Sequence, residues 1–349
     1  MSRRWSLSLL VTCIVLIGTI FFPLAATAKS DPTAAWKPSF DPSGAKYTYI
    51  LSNISHPAIE GVGVGYRIRD KVWERTNGQL FVDFRPLAQL GGERDVISKL
   101  RMGAVHGMLS SSVAAANVAE KLGIVNLPYV VDTFQKLEQF RADEQLFNEF
   151  RESPRPQGVI AVDITSYGTY GWATKTPVRT LEDAKKVNFR IAEAPVNIDI
   201  YKSWGMKFTV MPWPDVPQAL QTGVIDGLDH TPTVSNITGK FEVAKYFTEV
   251  NYAQGLFVHL INQRWLNSLP EEIRQALLDV IAEESALSRE LARVQHEKQI
   301  EDAKAKGVEF ISLSDADRQT LIDLAAPVYQ AWGEKIGAEY LQKVRATLR

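Results

Sequence analysis

The sequence predicts an α/β protein of two lobes, each assembled from pieces that are not contiguous in the chain. Three observations carry this. Short apolar segments of strand character alternate with amphipathic helical stretches, the pattern of a parallel sheet covered by helices. The chain has 349 residues, and beyond ~250–300 residues a single core divides. Strand-like segments fall on both sides of residue 150, so the chain must cross between lobes more than once. Lobe one is expected mainly from residues 45–155 plus a later segment, and lobe two mainly from 156–260.

The first 28 residues stand apart as a leader. Arg3 and Arg4 precede an apolar, uncharged run from Leu7 to Leu24, and Ala26-Thr27-Ala28 offers small residues to signal peptidase. Cleavage after Ala28 and export to the periplasm are expected. An uncleaved anchor is the competing reading, because the run is near the ~17-residue lower bound for a span. The only cysteine, Cys13, leaves with the leader, so the exported chain forms no disulfide and rests on its core alone. A formal net charge of −1 argues against nucleic acid or an anionic membrane as partner.

Residues 29–44, rich in Pro, Ser and Asp, read as a flexible arm. Tyr47 to Leu51 then makes a strand, with Asn53 just beyond its end. Residues 59–76 read as a helix, its start loosened by Gly61, Gly63 and Gly65. A strand follows at Leu80 to Phe84. The next helix, Glu93 to Met102, is closed by Gly103, and the strand Val105 to Leu109 leads into Ser110-Ser111-Ser112. In such sheets ligands bind beyond the carboxyl ends of strands, and Asn53, Glu93 and Ser111 fall there.

Asn126-Leu127-Pro128-Tyr129 interrupts the pattern before a helix from Thr133 to about Arg151. Strands at Gly158 to Ile164 and Tyr170 to Thr174, and a helical turn at Leu181 to Lys186, lead into Asn188 to His230, the stretch around which the chain is organised. There Phe189 and Ile191 point to one face of a short strand and Arg190 to the other. Ala219 to Gly227 reads as a helix closed by Gly223, a tight Asp226-Gly227 turn, and a new strand that carries Asp229 and His230. Val258 to Asn262 is one more apolar segment. Apolar residues at three- and four-residue steps then predict a helix from Pro270 to about Lys306. At about 1.5 Å per residue it spans roughly 50 Å, more than one lobe, so it is expected to cross both. Val308 to Leu313 is a last strand, and residues 315–347 are helical with a break near Pro327.

No serine stands in a nucleophile elbow, and no helical zinc pair is present. Gly61-Val62-Gly63-Val64-Gly65 matches a nucleotide loop only loosely. The five histidines are scattered without ligand spacing. Neither an enzyme nor a metal or cofactor site is expected. A binding protein fits the layout better, because the planar fork of an arginine donates two parallel hydrogen bonds to a carboxylate. Arg190 is the candidate; its alternative is a structural salt bridge. Trp213, between two prolines, is either a platform under a ligand or a core aromatic. Ser110 to Ser112 either donate to a ligand or form a solvated turn.

Five segments in order carry a resemblance. They are PLAQLGGERDVISKLRMG (Pro86 to Gly103), NLPYVV (Asn126 to Val131), TLEDAKKVNFRIAEAP (Thr180 to Pro195), ALQTGVIDG (Ala219 to Gly227) and QRWLNSLP (Gln263 to Pro270). Together they resemble the periplasmic solute receptors of TRAP transporters, the DctP-type family. That resemblance implies the two-lobed periplasmic-binding-protein fold, with a cleft between lobes and a long helix spanning both. It implies closure on an organic acid and delivery to a TRAP membrane permease. A monomer is expected. A receptor for a sensor kinase and a periplasmic enzyme on the same fold are the alternatives. Arg190 then matches the arginine that clamps the ligand carboxylate, and Asn53, Glu93, Ser111, Glu193 and Trp213 match positions that line the cleft. Many members carry a second arginine where Tyr170 stands here, with Trp172 two residues on. Leu228-Asp229-His230 replace the frequent Gln-Glu-Asn, and Lys186-Val187-Asn188 the usual Lys-Gly-Leu-Lys. One arginine among aromatics and a histidine suits a monocarboxylate with an apolar, aromatic or hydroxylated body.

Overall fold

A computed structural model describes residues 36–348 of the chain. The expected leader, its cleavage after Ala28, and residues 29–35 of the expected arm lie outside the described residues. The strands are, in chain order, β1 (Tyr47–Ser52), β2 (Leu80–Arg85), β3 (Gly107–Ser111), β4 (Val159–Thr169), β5 (Gly171–Thr174), β6 (Asn188–Ile191), β7 (Lys207–Val210), β8 (Gly227–His230), β9 (Tyr246–Glu249), β10 (Gln254–Asn262) and β11 (Glu309–Ser312).

They form two sheets, in the order β2-β1-β3-β10-β4 and β11-β9-β5-β8-β6-β7. Both are mixed, which corrects the expectation of parallel sheets. β1 runs parallel to β2 and β3, but β10 is antiparallel to β3 and β4. In the second sheet β6 runs parallel to β7 and β8, whereas β5 is antiparallel to β8 and β9. The reason is how the chain crosses. β4 passes straight into β5 with only Tyr170 between them, and β9 returns to β10 through residues 250–253. The two crossings lie side by side, with Tyr170 N–H donating to Ala253 O and Asn251 N–H to Tyr170 O, both at 2.9 Å. No helix intervenes to reverse direction, so each sheet receives a strand running backwards. β4 and β10 pair within the first sheet, although β4 and most of β10 fall in the 156–260 range assigned mainly to lobe two.

The region expected as one helix from Thr133 is two, Phe134–Ala142 and Glu144–Glu152. Asp143 divides them, because its carboxylate accepts from Leu146 N–H at 3.0 Å as an N-cap. Gly61 shows why the glycine-rich helix start is no phosphate loop. A Cβ there would strike the carbonyl of Ser166 at the end of β4, so the residue serves close packing. The long helix runs Glu271–Ala305, 35 residues. It packs on β4 and the helix Glu60–Arg75 at one end, and on the short helix Pro232–Ile237 beside the second sheet at the other.

Candidate functional site

Arg190 reaches the site because β6 alternates. Phe189 and Ile191 are fully buried in the core, which turns the guanidinium to the opposite face. Its Nε and Nη2 both donate to Met211 O, at 3.0 and 2.8 Å. That carbonyl follows the neighbouring strand β7, whose register sets Arg190 opposite Thr209. One edge of the fork is thereby fixed and the Nη1/Nη2 edge is left. Arg190 is 6% exposed, and among the described residues no carboxylate lies within ion-pair distance of it. Burial pulls its pKa down, opposed by the nearby Tyr170, Glu93 and Asp229.

Two adjoining cavities of about 30 Å³ each open at this guanidinium. Ile54, Glu93, Arg190, Ala192 and Trp213 line both. From the first sheet's side come Glu93, Ser111 and Phe257, and from the second Tyr170, His230 and Trp213; Tyr167 closes the end of β4. Glu93 opens the helix Glu93–Met102. Its two oxygens accept from Ser111 N–H at 2.7 Å and Ser111 Oγ at 2.8 Å. Burial raises the Glu93 pKa, and the Ser111 donors and Arg190 work against that rise.

Trp213 is half-buried at the cavity wall. The Arg190 guanidinium carbon lies 5.5 Å from its ring centre and Lys240 Nζ 4.9 Å, both within cation–π range. The His230 ring packs on it with centroids 4.7 Å apart. His230 Nδ1 accepts the Thr231 N–H at 2.9 Å, so the neutral ring carries its proton on Nε2. Burial, Arg190 and Lys240 together hold its pKa well below the usual histidine range. Burial, followed by Arg190, brings Lys240 down to about 8. Tyr167 and Tyr170 share a hydroxyl–hydroxyl bond of 2.8 Å.

Three expected site residues do not reach the cavity. Asn53 is spent on the backbone: Nδ2 donates to Leu109 O and Oδ1 accepts from Ser55 N–H, both at 2.6 Å. Trp172 lies one layer deeper along β5. It is fully buried, and its Nε1 donates to Tyr201 Oη at 2.9 Å. Asp229, its neighbour across β5 and β8, accepts from Tyr252 Oη at 2.6 Å. Burial pushes the Asp229 carboxyl up to about 7, against the hydrogen bonds of Tyr252 and Tyr201 and the charge of Arg190. Glu193 stands exposed at the rim beside Arg94. Sequence reasoning missed Tyr167, Phe257 and Lys240. Phe257 is placed by its register with Ser111 across β10 and β3, and Lys240 by a short turn after Gly239; neither pairing leaves a local signal in the sequence. The arrangement offers fixed donors for one carboxylate, one carboxylate acceptor opposite, and an aromatic wall.

Residues 60–335 match the family model of bacterial extracellular solute-binding proteins, family 7 (DctP). The C4-dicarboxylate-binding periplasmic protein DctP of Rhodobacter capsulatus is 27% identical over 277 residues, 78% of this chain and 82% of that protein. The 2,3-diketo-L-gulonate-binding periplasmic protein YiaO of Escherichia coli K12 is 27% identical over 262 residues, 74% of this chain and 78% of that protein. In structure, the chain is similar to a TRAP periplasmic solute-binding protein of Shewanella oneidensis with bound succinate. The TM-score is 0.82 at 20% identity, covering 87% of this chain and 100% of that one.

Proposed function

The chain belongs to the DctP family of bacterial extracellular solute-binding proteins, and on that premise we propose that it is a TRAP-system receptor for a small monocarboxylate held by Arg190. Members of this family are binding proteins, so the chain is a receptor and not an enzyme. The observation that carries the ligand reading is the guanidinium itself. It is buried, locked along one edge by Met211 O, and without a partner carboxylate among the described residues. A buried cation without an anion is costly, and a ligand carboxylate on the remaining edge removes that cost through two charge-assisted bonds. Tyr170 stands where many family members carry a second arginine, and it and His230 face the cavity as neutral groups. Burial raises Tyr170 beyond its ordinary value and lowers His230. In this reading the exported receptor, cleaved after Ala28, works as a monomer in the periplasm and hands its ligand to the membrane permease.

A thermal-shift screen of residues 29–349, unfolded and refolded to strip carried-over ligand, tests it. A ligand at about a thousand times its Kd adds roughly 4 kcal/mol, which raises Tm by several degrees. Single-carboxylate acids should shift the transition and their amides should not. Larger shifts with dicarboxylates would overturn the monocarboxylate reading, and equal shifts with the amides would overturn the arginine clamp.

A further inference from the structure

Beneath the cavity two buried acceptors lack a donor, and one proton serves both. Asp229 on β8 and Asn197 on the helix Pro195–Ser203 are 2% and 3% exposed. Asn197 Nδ2 donates to Asp229 Oδ2 at 3.3 Å, and Tyr252 Oη donates to the same oxygen at 2.6 Å. Among the described residues, Asp229 Oδ1 and Asn197 Oδ1 have no hydrogen-bond partner. Two buried acceptors left unpaired are costly. A proton on Asp229 Oδ1 removes both costs. The acid O–H donates to the amide oxygen, while the amide N–H donates back to Oδ2. A carboxylic acid and a primary amide are complementary in this way; a carboxylate and an amide are not.

Arg190 is the cation that opposes this protonation. It pairs with Leu228 in the register of β6 and β8, one residue before Asp229. Alternation along β8 sends His230 to the cavity and Asp229 to the layer beneath. Tyr167, Tyr170, Tyr201 and Tyr252 also act on Asp229, and burial raises all four, so each is neutral near pH 7. A ligand anion on Arg190 cancels the pull of the guanidinium and leaves Asp229 to burial alone, which favours the acid.

Resting on the reading that Arg190 holds the carboxylate, we propose that Asp229 and Asn197 form a proton-linked switch: filling Arg190 draws a proton onto Asp229, and the receptor binds its ligand more tightly on acidification. The coupling is reciprocal, as any linkage between two binding events must be. Burial brings the Asp229 carboxyl up to about 7. Affinity is therefore greatest below about 7 and falls as pH rises through it. Glu93, His230 and Lys240 also feel the Arg190 charge and are the competing acceptors of the proton. Asp229→Asn separates them. Its amide keeps the shape of the acid and donates permanently to Asn197 Oδ1.

Carboxyl-carbon NMR of labelled aspartate, with D229N to assign the signal and propanoate as the probe, tests this. In the ligand-free protein Asp229 should titrate near 7. Saturating propanoate, or Arg190→Gln without ligand, should raise that midpoint by about one pH unit. Between pH 6 and 8 the wild type should then lose affinity for propanoate about fivefold further than D229N does. A ligand-free midpoint in the ordinary carboxylate range overturns the proposal. So do equal losses of affinity in the two proteins, which would move the proton to Glu93, His230 or Lys240. Propanoate that binds without moving the midpoint overturns the proposal and leaves the clamp standing. If propanoate does not bind, the clamp underneath has failed, and the ligand-free comparison of wild type with R190Q still decides the coupling.

Discussion

Arg190 owes its availability to one carbonyl. With Nε and Nη2 committed to Met211 O, the guanidinium cannot swing toward Glu93 or Asp229, and its remaining edge is held in one plane. That is the difference between a clamp and a flexible surface cation. Asp229 plays a different part from the one its position suggested. It lies beneath the cavity among Tyr201, Tyr252 and Asn197, where burial favours the protonated acid. Its folded pKa of about 7 stands above the ordinary carboxylate value, so the folded state binds its proton more tightly than the unfolded chain. The stability it contributes is full below about pH 4 and is lost as pH rises through 7. The contribution is on the order of a few kcal/mol. Asp229→Asn removes this titration. Urea midpoints at pH 5 and pH 8 should therefore fall further for the wild type than for D229N, and equal slopes would place the ionised carboxylate in the folded state throughout.

Among the elements, the paired crossings β4–β5 and β9–β10 hold the two sheets in register, and the long helix braces one of them. Asp163 on β4 is the junction: fully buried, it accepts from Arg141 Nε at 2.8 Å and from Arg289 Nη1 of the long helix at 3.1 Å. Asp163→Asn leaves Arg289, itself 5% exposed, without its buried counterion. A loss of roughly 3 kcal/mol is expected, read as a lowered urea midpoint with unchanged ligand selectivity. A change below about 0.5 kcal/mol would show that Glu138, bonded to Arg289 Nε at 2.7 Å, compensates alone. Much of this architecture was legible locally. Gly103 and Gly223 end helices with φ of 82° and 81°, as their positions after apolar-periodic stretches implied, and the alternation at Phe189 to Ile191 aimed Arg190 correctly. Strand direction was not legible, because β4 and β5 read as two neighbouring strands of one sheet until Tyr170 is seen to join different sheets. Nor was depth. Period-two patterning puts Tyr170 and Trp172 on one face but cannot say that the first lines a cavity while the second lies beneath it. Lys240 left no sign at all, since its burial comes from the Trp213 ring 27 positions away in the chain.

For the whole molecule, two mixed sheets joined by a two-stranded crossing and one long helix make a cleft whose walls come from different sheets. Glu93, Ser111 and Phe257 stand on one wall, and Arg190, Trp213 and His230 on the other. A ligand that bonds both walls favours the closed arrangement by its differential affinity for it, and hinge motion of this kind needs only a few residues at the crossings to absorb the change. Gly168, with φ of 106°, and Asn251, with φ of 52°, supply unusual backbone conformations at those crossings. The pairing at Arg190 is tested most directly by calorimetry of the wild type against Arg190→Lys with a short monocarboxylate. An ammonium cannot bond Met211 O and a ligand carboxylate in one plane, so R190K should weaken binding by about tenfold or more while the melting transition of the ligand-free protein stays close to that of the wild type. Unchanged affinity would contradict the clamp and move the anchor to another donor in the cavity.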